Sequence, residues 1–76
     1  MSSLPPAPFA SLLRRYRQTA GLTQEELAER AHLSQEAIGA LERGTRQAPR
    51  KDTIDLLAAA LALTEPERAA FEASAR

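Results

Sequence analysis

Apolar residues recur along this chain at helical spacing. Phe9, Leu12, Leu13 and Tyr16 fall at i, i+3, i+4 and i+7, one stripe of a first helix that Gly21 closes. A short second helix puts Leu27, Ala28 and Ala31 on its apolar side, and its start is written in "TQEE" at 23–26. There Thr23 is the N-cap, and Glu26, three residues on, completes a capping box. His32 and Leu33 form a tight turn. Ser34 caps a third helix that ends at Gly44. A fourth helix is capped by Asp52 or Thr53. It turns Ile54, Leu57 and Leu61 toward the core, with Leu56 and Ala60 flanking. "TEPE" at 64–67 is a second capping box, with Pro66 tolerated in the first turn of a fifth helix that carries Ala70, Phe71 and Ala75 inward.

Nothing reads as a strand: valine is absent and isoleucine occurs twice. Five short helices with short links predict an all-α, compact five-helix bundle. With three prolines and two serines, residues 1–8 read as a flexible leader to one domain at 9–75.

The third helix has two unlike sides. Ala37, Ile38 and Leu41 share one; Glu36, Gly39, Ala40 and Arg43 share the other. The second set is unusual for a solvated face, because glycine is a poor helix former and both small residues leave the surface bare.

Seventy-six residues suffice for one modest core. No cysteine and a single histidine exclude a disulfide framework and cysteine or multi-histidine metal sites, so neither metal nor cofactor is expected. The start lacks the basic-then-apolar order of a signal peptide, and "LLAAALALT" at 56–64 is far too short to span a bilayer. A cytoplasmic protein without membrane contact is the expectation. No nucleophile–base pair or glycine-rich phosphate loop is visible, so the chain reads as non-enzymatic. Ten basic and ten acidic residues give zero net charge, but the charge is locally polarised. Arg14, Arg15 and Arg17 cluster early, and Arg43, Arg46, Arg50 and Lys51 cluster around the loop "TRQAPRK" at 45–51. Glu25, Glu26 and Glu29 gather on the second helix.

The ordered set "AGLTQEELAERAHLSQEAIGALERG" (20–44), then a basic loop with proline, then "LLAAALAL", resembles the helix-turn-helix of the Cro and phage-repressor (XRE) family over about residues 9–75. The resemblance implies a lambda-repressor-like fold, with small Ala28 letting helices two and three cross closely. Leu33 and Ile38 fill the space beneath the turn. His32 stands where relatives usually have a glycine of positive φ, a conformation histidine tolerates better than most residues.

The family pattern further implies double-stranded DNA as partner and a recognition helix at 34–43 in the major groove. Gln35 and Glu36 match base-contacting positions, and Gly39 and Ala40 fall on the same side. Glutamate accepts from the cytosine amino group, glutamine pairs with adenine, and alanine can touch a thymine methyl. Gln24, Ser34, Arg43, Thr45, Arg46, Arg50 and Lys51 match or adjoin positions that follow the phosphate backbone. Arg17 and Glu42 match a structural ion pair between the first and third helices, and Glu42 lies at the edge of the apolar face. A repressor, or the DNA-binding module of a larger regulator, is implied. It would act as a homodimer joined through the fifth helix (Ala69, Ala70, Phe71, Ala73) or through a C-terminal region beyond it. Zero net charge and a sparse recognition face leave a second reading open, a protein-interaction module of the same fold such as an antitoxin-like partner.

Overall fold

A computed structural model describes residues 8–44 and 49–75. Five helices follow one another: α1 (Pro8–Thr19), α2 (Gln24–Ala31), α3 (Gln35–Arg43), α4 (Lys51–Ala60) and α5 (Glu65–Ser74). No strand occurs among the described residues. The fold is the expected all-α five-helix arrangement. Its first helix begins one residue earlier than expected, at Pro8, where a proline suits the first helical turn. The remainder of the leader, along with Thr45 and Arg46, lies outside the described residues.

The helix ends follow the residue chemistry. Thr23 Oγ1 accepts from the Glu26 amide at 3.0 Å while the Glu26 carboxylate accepts from the Thr23 amide at 2.9 Å. Thr64 and Glu67 repeat the box at the start of α5. Ser34 Oγ accepts from the Ala37 amide at 3.0 Å. The start of α4 differs from expectation. Arg50, extended after Pro49, occupies the N-cap and makes no side-chain cap bond, while Asp52 sits inside the first turn and accepts from the Thr53 amide. An acid there still offsets the exposed amides and the positive helix end.

Two helices end on residues in the left-handed region that are not glycine: His32 (φ 60°) and Ala62 (φ 54°). In both turns the next amide reaches back five residues, Leu33 to the Ala28 carbonyl at 2.9 Å and Leu63 to the Ala58 carbonyl at 3.1 Å. This is the Schellman closure, whose left-handed position usually belongs to glycine. The turn after α2 therefore forms as the family pattern implies, with His32 adopting positive φ.

One core holds the bundle. Phe71, Leu13, Leu27, Ile38 and Leu57 are fully buried at its centre, one or more from each helix. Phe71 stacks on Phe9 (centroids 4.8 Å apart) and meets the edge of Tyr16 (5.9 Å), which joins α5 to α1. Ala75 is buried as expected, but Ala70 is exposed: next to Phe71 in sequence, it is turned about 100° away from the core. Leu56 stays exposed on α4. Ala28 is buried on α2, the helix that packs against α3. No helix among the described residues is long and apolar enough to cross a membrane.

Replacing Ala62 by glycine removes the clash between Cβ and backbone in the left-handed region. Ala62→Gly should raise stability by about 0.5–1 kcal/mol, the relief being partly offset by the greater freedom of the unfolded chain. Thermal melts would register it as a higher Tm; an unchanged or lower Tm would show that the turn carries no strain.

Candidate nucleic-acid interface

The third helix is held by its one buried acid. The Glu42 side chain is fully buried, and three side chains from two other helices converge on it. Arg17 on α1 donates from Nε to Oε2 at 2.5 Å and from Nη2 to Oε1 at 3.0 Å. Gln24, the first residue of α2, donates from Nε2 to Oε1 at 3.1 Å. Arg14 stands 3.7 Å away on the solvent side. Arg17 also donates from Nη1 to the Leu22 carbonyl at 2.9 Å, fixing the chain between α1 and α2. Burial opposes ionisation of Glu42. The hydrogen bonds from Arg17 and Gln24, with the charges of Arg17 and Arg14, outweigh it and hold the carboxyl below its ordinary range. The Glu42 bond correspondingly raises the Arg17 pKa, against the effect of burial. Both residues stay charged at neutral pH.

Helical periodicity places Glu42 at the edge of the apolar face; the fold buries it entirely. Of the early arginine cluster, Arg14 and Arg17 both lie near this carboxylate. Gln24 is tied to Glu42, so its amide is a positioned group and not a free arm.

Gly39 also departs from expectation. It is buried, not open. A Cβ there would stand 3.1 Å from Arg43 Nη1 and 3.7 Å from Gln24 Oε1. The missing side chain leaves room for Arg43 and Gln24 to lie across α3. What remains outward is a shallow concavity lined by Ser34, Glu36, Ala37, Ala40 and Arg43. Gln35 and Glu36 are exposed beside it. Ala37, placed by periodicity with the apolar side, is half-buried and opens into this concavity. The Ser34 oxygen is occupied by its cap bond, but its hydroxyl proton remains available to an acceptor.

The basic positions after α3 do not form one set. Arg50 is exposed at the start of α4. Lys51 is also exposed, yet lies 3.4 Å from Asp55. Asp55 in turn accepts from Arg68 of α5 at 2.8 Å, and Arg68 donates to Glu72 at 3.2 Å. Sequence spacing reveals the two i, i+4 pairs (51 with 55, 68 with 72) but not the link between α4 and α5. Exposure of these groups makes each contact worth little in water.

Residues 8–71 match the family model of the helix-turn-helix domain. The chain belongs to this helix-turn-helix family. The motif is α2, the turn at 32–34 and α3, as the XRE-type residue pattern implies. The fold is similar to the crystal structure of the restriction-modification controller protein C.AhdI from Aeromonas hydrophila, at 35% sequence identity and a TM-score of 0.74. The match covers 82% of this chain and 92% of that one. No curated protein matches the chain.

Two measurements test the role of the buried acid in this helix-turn-helix domain. Glu42→Ala strands the Arg17 guanidinium and should cost about 3–5 kcal/mol, against less than about 1 kcal/mol for exposed Glu36→Ala. Equal losses in denaturant titrations of the two variants would refute the assignment. Because the folded-state pKa of Glu42 is depressed, its contribution is present above the ordinary glutamate range, about 4.3, and is lost as pH falls through the folded value. Tm should therefore drop on acidification, and by less in Glu42→Gln. A Glu42→Gln profile as steep as the parent's would refute the link.

Proposed function

We propose that this chain is a sequence-specific, double-stranded DNA-binding regulator of transcription that binds and does not catalyse. The observation that carries the reading is the exposed face of α3. It presents Gln35, Glu36, Ala40 and Arg43 beside the start of α2, in a helix-turn-helix domain whose structural relative is a restriction-modification controller. With α3 in the major groove, Gln35 and Glu36 reach base edges, and Ala40 leaves space for a base substituent. Arg43, Ser34 and Gln24 meet phosphates, joined by Arg50, Lys51 and the loop residues Thr45 and Arg46. Phosphate contacts supply most of the affinity and base contacts the choice of site.

A recognition face with so few long donors is weak alone. The protein therefore acts as a homodimer on two half-sites spaced about 34–36 Å apart. Exposed Ala69, Ala70 and Ala73 on α5 offer an interface that leaves Phe71 in its own core. Repression follows where such a site overlaps a promoter. The cytoplasm of a cell without a nucleus is the compartment where this activity fits.

Titration of duplex DNA at several salt concentrations tests the reading. Binding should weaken steeply with salt. Arg43→Ala should reduce the slope of log K against log salt by about one, uniformly across sequences. Glu36→Ala should leave that slope unchanged while narrowing the spread of affinities across a panel of duplexes. No binding at low salt would instead favour a protein partner.

A further inference from the structure

The concavity on α3 combines two chemistries that one base edge can satisfy together. Glu36 supplies a carboxylate, and Ala37 and Ala40 supply methyl groups beside it. Glu36 and Ala40 are four residues apart, and hence neighbours on one helix face. Ala37 contributes because it opens outward, where periodicity alone had placed it with the core. Among the described residues Glu36 forms no ion pair, and Arg43, which also lines the concavity, approaches Gly39.

We propose, resting on the DNA-binding reading above, that this concavity recognises 5-methylcytosine in the major groove. Glu36 accepts from the 4-amino group, and the alanine methyls receive the 5-methyl group.

An ionised carboxylate only accepts hydrogen bonds. Thymine has the methyl but presents O4, an acceptor, which the carboxylate repels. Cytosine presents the amino donor but sets a bare C–H against the alanines, leaving their surface unfilled. Adenine presents an amino donor but next to it N7, an acceptor that the carboxylate repels, and has no methyl. In 5-methylcytosine the donor and the methyl stand on adjacent ring atoms, so one base matches both halves of the site. Gly39 supports the arrangement: without a side chain it leaves room for Arg43, which forms no ion pair with Glu36.

The test begins with selection from random duplexes, made either with cytosine or with 5-methylcytosine throughout. Fluorescence anisotropy then compares C·G, 5-methyl-C·G, T·A and U·A pairs at each position of the selected half-site. At one position 5-methylcytosine should bind about fourfold tighter than cytosine, the effect of burying one methyl group, and both should exceed thymine. Ala40→Ser sets a hydroxyl beside the methyl and should abolish the fourfold gain while keeping cytosine above thymine. Glu36→Gln donates as well as accepts, and should shrink the preference for cytosine over thymine while keeping the methyl gain. Circular dichroism confirms that both surface variants fold. Equal or weaker binding of methylated duplexes at every position, or a gain that survives Ala40→Ser, overturns the proposal and leaves DNA binding intact. Absence of salt-dependent binding to any duplex overturns the DNA-binding reading and this proposal together.

Discussion

The buried carboxylate of Glu42 is the constraint on which the helix-turn-helix geometry depends. Helices this short do not persist alone in water, and their relative placement comes from what they pack on. The apolar core sets that placement broadly, since aliphatic side chains slide past one another at small cost. A carboxylate with donors from α1 and α2 does not allow such sliding. Arg17 approaches it with two parallel bonds, a geometry that fixes direction as well as distance. Burying such a pair is weak evidence of net stability, and its larger effect here is to define where α3 stands relative to α1 and α2.

That constraint passes directly into the candidate interface. Gln24 is both a ligand of Glu42 and the first residue of α2, so the group expected near a phosphate is oriented by the core. Gly39 lies one turn before Arg43 and lets its guanidinium rest over the helix. The small residues of α3 thus serve two purposes. Gly39 makes room within the protein for Gln24 and Arg43. Ala37 and Ala40 leave a shallow hollow outside. The face that looks bare in the sequence is a shaped surface with a charge at each end.

Much of the fold was legible because its signals are local. A capping box needs only the identities of two residues three apart, and both boxes formed at Thr23 and Thr64. The stripe ending at Tyr16, the turn at His32 and the stop at Gly44 are likewise set within one or two helical turns. The misplacements have a common origin. Rotation about a single helix axis gives Ala37, Gly39 and Ala70 their sides. Whether a side is covered depends on a neighbouring helix or on a long side chain folded back across it, as Arg43 covers Gly39. At α4 the cap differs because Arg50 is extended and takes the N-cap position, which leaves Asp52 inside the first turn.

The sequence by itself determined five helices, most of their ends, a single aromatic and aliphatic core, and membership of the helix-turn-helix pattern. These follow from spacing, capping chemistry and composition, which act over a few residues. Only the tertiary structure decided that Glu42 is wholly buried and that Gln24 is its ligand. It also linked Asp55 to Arg68 across α4 and α5, and turned Ala37 outward and Gly39 inward. Each of these depends on residues brought together from separate helices. Their distance and direction are set by packing of the whole chain, and a one-dimensional pattern carries no record of them.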